Sequence, residues 1–380
     1  MIIAVPKETA AGERRVAVVP ESCKRLIQAG YEVGIEAGAG AAAFIPDDAY
    51  EKVGVTIHKD AAAMLGKADF VLCVNAPAVA DVPKMRSGAY LLGSLMPLRK
   101  LDAVKALAAH KITAFSTDAI PRTTRAQSMD TLSSMANIAG YRGVLLAAAE
   151  LPKYFPMLMT AAGMVPPAKV FVIGAAVAGL QAIATARRLG ANVFATDVRP
   201  EVKEEIESVG AKYVGIELKQ DASAGGGYAK ELSGEDKARQ REMLAEQCAQ
   251  VDVVISTALI GGVFAPRIIT REIVAKMRPG SIIVDLAADG GGNCELSRPG
   301  ETVVENGVTI MAPLNVPSAM PTHASTLFSR NLTTFLQTFT KDKAFQLDLN
   351  DDIQQGALIT HEGQVVHART KDMLAKAGGQ

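Results

Sequence analysis

The chain has 380 residues, with 49% apolar side chains and 40 basic against 40 acidic groups, so its formal net charge is zero. That balance removes any general attraction to nucleic acid or to an anionic membrane surface, and the length sets an expectation of two domains. The four cysteines (Cys23, Cys73, Cys248, Cys294) are far apart and form no CxxC pair. This suits a reducing compartment and argues against a zinc site. Neither a signal peptide nor a membrane span is evident. Glu8 follows directly on the first strand-length segment, and the longest uncharged stretches, 154–168 and 170–186, are broken by Pro166-Pro167 and by a glycine turn.

In the N-terminal half, Met1 to Val5 is predicted as a strand, Glu21 to Ala29 as a helix ended by Gly30, and Tyr31 to Glu36 as a strand. Phe70 to Val74, Tyr90 to Leu92 and Lys111 to Ser116 read as further strands, with helices at Ala61 to Leu65 and Leu101 to Ala109. Strands alternating with helices argue a parallel sheet covered on both faces. No phosphate-binding turn followed by an acid occurs here, and Gly38 and Gly40 read as loop glycines.

The segment Pro121 to Arg142 is unusual, since Asp130 is the only charge between Ser128 and Tyr141. Placed on a helix, Gln127, Asp130, Ser134 and Asn137 share one face, with Ser133 beside them. Leu132, Met135, Ala136 and Ala139 supply the apolar face. Two readings stay open on these residues alone: a junction helix whose polar groups bond neighbouring backbone, or a polar stripe lining a ligand cleft. The helix continues from Gly140 to Glu150, and Met159 to Pro167 reads as a crossing segment.

Residues 169–199 carry the strongest signal. Val170 to Ile173 is an apolar strand, Gly174-Ala175-Ala176-Val177-Ala178-Gly179 a small-residue turn into a helix that runs to Arg188, and Asn192 to Thr196 a second strand ending on Asp197. Strand, tight turn, helix, strand and acid make a dinucleotide-binding βαβ unit. The helix start offers unpaired N–H groups and a positive dipole end to a pyrophosphate. Asp197 stands at the roughly twenty-residue spacing expected of an acid that binds the ribose diol. A carboxylate there repels a 2′-phosphate, so the reading is NAD(H) rather than NADP(H), with Arg199 as a counter-signal. Ala176 departs from the pattern, which has glycine at that position.

Beyond Asp197, Glu201 to Val209 reads as a surface helix and Lys212 to Val214 as a strand. Gly215 to Ser233 is a long glycine-rich insertion of the kind that forms lids. Glu235 to Gln250 reads as a charged helix, Val253 to Ser256 as a strand followed by the loop Thr257 to Gly262, and Ile282 to Leu286 as the next strand. Val303 to Val304 and Thr309 to Met311 are short strands. A helix at Leu327 to Thr340 returns the chain to the first domain, and Ala357 to Thr360 with Val365 to His367 reads as a hairpin.

Taken together, Pro6-Lys7-Glu8 with Arg15-Val16-Ala17, Pro121-Arg122 through Tyr141-Arg142, Thr160 to Gly163 with Val165-Pro166-Pro167, Gly226-Gly227-Tyr228-Ala229-Lys230, and Asp285-Leu286-Ala287 with Gly291 to Cys294 resemble one family. It is the NAD(H)-binding alpha component of proton-translocating NAD(P)+ transhydrogenase, and the resemblance runs from residue 1 to about residue 370. It implies an α/β fold of two Rossmann-like, doubly wound parallel-sheet domains with a cleft between them. Residues 1–130 plus 320–380 form the first domain and 131–319 the NAD(H)-binding one. It implies hydride transfer between NADH here and NADP+ on a separate beta subunit, coupled to proton translocation by a membrane-spanning subunit. The enzyme class is the Si-specific or Re/Si-specific transhydrogenase. The resemblance also implies a homodimer, a cytoplasmic location at the inner membrane through those partners, and no nucleic-acid partner.

By the same resemblance, Arg122, Gln127, Asp130, Leu132 and Ser133 are nicotinamide-side contacts, the first three being the catalytic set. Gly174, Ala175, Ala176, Val177 and Gly179 form the pyrophosphate turn, and Asp197, Val198 and Arg199 the adenosine-ribose site. Gly227, Tyr228 and Leu259 are further contacts, and Tyr228 lies on a loop that closes over the nucleotide. No metal is expected.

The alanine dehydrogenases share the fold and are the rival. Their keto-acid arginine matches Arg15 and their aspartate matches Asp289. Their lysine has no match in Leu72 to Pro77, and Ser94 stands where they carry a histidine. A serine does not shuttle protons near neutral pH, so Arg15 is expected in an ion pair with Glu8 or Glu13. A nucleotide-binding module without activity is the remaining alternative, since both Ala176 and Gly261-Gly262-Val263 depart from the transhydrogenase pattern.

Overall fold

The computed structural model describes residues 1–216, 234–259 and 265–378, together with the backbone of 223–224 and 228–229. The chain divides into two compact units: Met1–Met135 with the segment from Ser318, and Ala136–Pro317.

The first unit opens with β1 (Ile2–Val5), α1 (Pro20–Gln28), β2 (Glu32–Glu36), α2 (Asp47–Glu51), β3 (Thr56–His58), α3 (Ala61–Leu65), β4 (Phe70–Asn75), β5 (Tyr90–Ser94), α4 (Leu101–Ala109) and β6 (Thr113–Ser116). These strands pair in parallel in the order β6-β5-β4-β1-β2-β3. Successive side chains feed two cores. Ile3, Val5, Phe70, Leu72 and Val74 enter one, and Ala4, Val71 and Cys73 enter the other. A strand buried on both faces has no polar side, which is why these segments read as unbroken apolar runs.

α5 (Thr131–Glu150) carries the chain into the second unit. There β7 (Leu158–Thr160) and β8 (Gly163–Val165) form an antiparallel hairpin. The crossing segment expected at 159–167 is therefore corrected: Thr160 Oγ1 accepts from Ala162 N and donates to Gly163 O, closing a tight turn. The main sheet follows with β9 (Lys169–Ile173), α6 (Val177–Arg188), β10 (Asn192–Thr196), α7 (Val202–Ser208) and β11 (Lys212–Tyr213). A two-strand ladder, β12 (Ser223–Ala224) with β13 (Tyr228–Ala229), precedes α8 (Gly234–Cys248), β14 (Val253–Ser256), α9 (Arg271–Lys276), β15 (Ile282–Asp285), β16 (Thr302–Glu305) and β17 (Val308–Met311). The sheet order is β11-β10-β9-β14-β15-β17-β16, parallel except for β16. Strand order reverses at β9, whose neighbours β10 and β14 lie on opposite sides, so the loops after β9 and β14 flank a topological switch point. Val170 and Val172 enter one core, Phe171 and Ile173 the other.

The chain returns to the first unit through α10 (Pro321–Thr338), which starts six residues before the expected Leu327 because Pro321 occupies its first turn, where no N–H is needed. Phe328, Leu332, Phe335 and Leu336 of α10 pack on the first core. β18 (Thr340–Lys341) and β19 (Ala344–Phe345) form a small hairpin. α11 (Asp352–Ala357) then leads to β20 (Leu358–His361), which pairs antiparallel with β6 and with β21 (Gln364–Val365). A last helix, α12 (Ala368–Gly378), adds to the elements expected from the sequence. Among the described residues no helix is long and apolar enough to cross a membrane.

Candidate functional site

The β9–α6 turn is built by close approach. Gly174 has φ +88°, a conformation that favours glycine, and a Cβ there would meet Thr257 Oγ1 at 2.9 Å. A Cβ on Gly179 would stand 1.9 Å from the Gly174 carbonyl oxygen, and one on Gly140 would stand 2.1 Å from the Ala178 oxygen. Gly179 thus lets α6 close onto the strand, and Gly140 lets α5 press against α6. Ala175 is fully buried. Ala176 is exposed and precedes the helix at φ −78°, ψ −164°, extended backbone that alanine adopts without strain. Replacing the usual glycine therefore leaves the turn's shape intact. No side chain caps α6. The N–H groups of its first turn have no partner within the helix and are open to an anion. A turn this tight, with uncapped donors, fits a dinucleotide's pyrophosphate.

The neighbouring loops are locked onto this turn. Thr257 Oγ1 donates to the Gly174 carbonyl at 2.9 Å. Asn293, fully buried, accepts from Ala258 N at 3.0 Å and donates to Ala258 O at 2.8 Å and to Pro266 O at 2.9 Å. Buried Asp285 accepts from Cys294 N (3.0 Å) and Ser297 Oγ (2.6 Å), which fixes the Asn293 backbone in turn. Leu259, half-buried, follows directly on this clamp. Motif reading of the sequence assigns no role to Thr257 or the Asn293 side chain. Their signal is two polar residues in the loops that follow β14 and β15, at the end of the sheet where ligands bind.

At the end of β10 the Asp197 carboxylate accepts four hydrogen bonds. Oδ1 takes Arg199 N (3.0 Å) and Arg199 Nε (2.9 Å), and Oδ2 takes Arg199 Nη2 (2.9 Å) and Ala175 N (2.8 Å). Val198, between them, is half-buried. The acid expected to bind ribose is thus held by the arginine expected as a counter-signal. Gly227, the Tyr228 side chain and Gly261-Gly262-Val263 lie outside the described residues, as does most of the expected lid.

In the first unit the polar stripe predicted on one helix face is corrected. Residues 124–129 form a 3-10 turn, and the α-helix starts only at Thr131. Asp130 is its cap: the carboxylate accepts from Ser133 N (2.9 Å) and Ser133 Oγ (2.6 Å). Capping by an aspartate satisfies an otherwise orphaned helix donor and breaks the assumed helical register. Gln127 and Asp130 therefore do not share a helical face with Ser134 and Asn137. Arg122 and Gln127 are exposed and Leu132 is half-buried. The segment is anchored by Thr131 Oγ1 on Thr117 Oγ1 (2.8 Å) and by Asn331 Nδ2 on Ser128 O (2.8 Å). In the second unit, Asn137 bonds Gln181 at 3.0 Å.

The residues compared with alanine dehydrogenase are engaged otherwise. Arg15 pairs bidentately with Glu13, Nε to Oε1 at 2.8 Å and Nη2 to Oε2 at 2.7 Å. Burial works against this charge, yet the Arg15 contacts hold the Glu13 carboxyl down at about 2. Asn75 Nδ2 bridges Glu8 and Glu13, each at 3.0 Å. Ser94 Oγ donates to Asp118 at 2.6 Å, and burial pushes the Asp118 carboxyl up despite three donors.

Family models for the N-terminal and C-terminal domains of alanine dehydrogenase/PNT match residues 4–139 and 143–368. The chain is 48% identical to an NAD(P) transhydrogenase subunit alpha polypeptide of Rhodospirillum rubrum, over 97% of this chain and 98% of that protein. A crystal structure of transhydrogenase from Sinorhizobium meliloti superposes with a TM-score of 0.88 at 44% identity, covering 96% of this chain and all of that one. Alanine dehydrogenase of Halomonas elongata is 30% identical over 97% of this chain and 95% of that protein. The higher identity thus lies with the transhydrogenase alpha subunits, and the chain belongs to the alanine dehydrogenase/PNT family.

Proposed function

We propose that the chain is the NAD(H)-binding alpha subunit of a proton-translocating transhydrogenase, exchanging a hydride with NADP(H) held on a partner beta subunit. The observation that carries this reading is the β9–α6 turn with Asp197, a dinucleotide cradle, in a chain whose Ser94 and Asn75 supply no proton shuttle or lysine for a keto acid. The cofactor, when bound, supplies the hydride. The rest falls to the chain. The first N–H groups of α6 hold the pyrophosphate, Asp197 faces the adenosine ribose, and Thr257 and Asn293 keep the Leu259 loop against the turn. Arg122, Gln127 and Asp130, with Leu132 and Ser133, orient the nicotinamide end. A direct hydride exchange needs no general acid or base here, only positioning and exclusion of water.

The reading extends to a homodimer, peripheral on the cytoplasmic face of the inner membrane through a membrane-spanning subunit. Titration of the purified chain with NADH and NADPH tests the binding claim. NADH is expected to bind at least tenfold more tightly. Equal affinity for both, or binding of neither, would sink it.

A further inference from the structure

The four donors on Asp197 use up its acceptor capacity. A carboxylate offers about four lone-pair sites, and here Oδ1 and Oδ2 each take two hydrogen bonds. The side chains are buried, with only 10% of Arg199 and 7% of Asp197 accessible. A vicinal diol donates two parallel O–H bonds to the two oxygens of one carboxylate. The Nε and Nη2 groups of Arg199 already make that same pair of contacts. Of the four donors, Ala175 N and Arg199 N are backbone groups in the turns that follow β9 and β10, so they leave only if the backbone moves. The guanidinium sits on a flexible side chain and is the one donor pair that can be exchanged.

We propose that Arg199 is a resident stand-in for the ribose diol, which a nucleotide must displace from Asp197, and that this exchange sets both affinity and selectivity for NAD(H). The inference rests on the nucleotide-binding reading above. Displacement lowers NADH affinity and so favours release of spent cofactor. The released guanidinium stays beside the 2′ position and softens the repulsion that Asp197 alone exerts on a 2′-phosphate. Arg199 is therefore a specificity-determining residue that works against discrimination.

The test is a double comparison of AMP with 2′-deoxy-AMP on the wild-type chain and on Arg199→Gln. In the wild type the diol's gain is largely offset by losing the guanidinium, so removing the 2′-hydroxyl weakens binding only a few-fold. In Arg199→Gln the offset is gone, and the ratio of the two dissociation constants rises at least fivefold, while NADPH binding weakens relative to NADH. Arg199→Lys, which keeps the charge but has no fork to span both oxygens, gives an intermediate ratio. Because the readout is a ratio, general damage to the variant cancels. In the wild-type chain, the Arg199 Nε–H proton exchanges with solvent faster once NADH is bound. An unchanged ratio, or an Nε–H equally protected with NADH bound, overturns the proposal and leaves the nucleotide site standing. Failure of the wild type to bind either AMP or NADH overturns both.

Discussion

Substituting Gly179 by alanine sets two effects of known size against each other. Gly179 lies in the first turn of α6 and its backbone is ordinary helix, so alanine gains up to about 1 kcal/mol of helix propensity. The new Cβ, however, would stand 1.9 Å from the Gly174 carbonyl oxygen, while real contacts of this kind stay beyond 3.0 Å. The turn and the helix start must therefore separate by about 1 Å. Neither side yields easily, because both are backbone and Thr257 holds the same carbonyl. Overpacking of this kind costs roughly 1–3 kcal/mol, so the variant is expected to be less stable by about 1 kcal/mol in spite of the propensity gain. The larger effect falls on binding. A shift of about 1 Å would misalign the N–H groups proposed to hold the pyrophosphate, and each hydrogen bond to a charged group contributes about 1.5–3 kcal/mol, so NADH affinity should fall between about tenfold and a hundredfold. Calorimetric titration and urea unfolding measure both. Gly234→Ala, with open space around its Cβ at the start of α8, is the control: it should leave NADH affinity unchanged and should not lower stability, since no clash offsets the propensity gain. A Gly179→Ala chain that binds NADH as tightly as the wild type would refute the claim that this contact shapes the phosphate site.

Asn293→Ala leaves Ala258 N, Ala258 O and Pro266 O without their partner and should destabilise the second unit by about 3 kcal/mol. Hydrogen exchange at the Ala258 amide should speed up together with a loss of NADH affinity, and unaltered exchange would count against the clamp. The Glu13 carboxyl, held at about 2 against a usual value of 4.5, stabilises the folded chain at neutral pH by about 3 kcal/mol. A lowered carboxyl loses that contribution as pH falls, here between about pH 5 and pH 2. Glu8 and Asp118, raised by burial, act in the opposite sense and gain as pH falls. Unfolding followed by circular dichroism should show this acid limb in the wild type and a flatter one in Glu13→Gln. An equally steep limb in the variant would remove Glu13 as its source. All four cysteines are buried, and burial pushes the Cys23 and Cys248 thiols up to about 12. A thiol reagent should therefore find none in the native chain and four after denaturation.

The parts of the fold legible in the sequence are those fixed by local pattern. The β9–turn–α6–β10 unit is readable because glycine needs, apolar runs and the acid lie within 31 residues of one another. The strands of the first unit show as apolar runs because both faces are buried. Asp130 escapes such a reading because polar periodicity runs on through a 3-10 turn. The Asp-Thr-Leu-Ser stretch carries a cap signal as well as a stripe, and the cap prevails by satisfying a helix N–H. The state of Asp197 is hidden for another reason. Asp-Val-Arg says that an acid and a base are near, but only the bend after β10 decides that two guanidinium nitrogens, Nε and Nη2, reach one carboxylate. Bonds such as Asn293 to Ala258, or Ser94 to Asp118, join residues far apart in the chain and leave no trace in local periodicity.

The most direct measurement is hydride exchange in a complex of this chain with the NADP(H)-binding and membrane subunits of a transhydrogenase, following reduction of thionicotinamide-NADP+ by NADH. The proposed function predicts reduction that depends on this chain, on NADH and on the partner, with no oxidation of NADH by pyruvate and ammonia. NADH bound without exchange, or alanine formed from pyruvate, would contradict it.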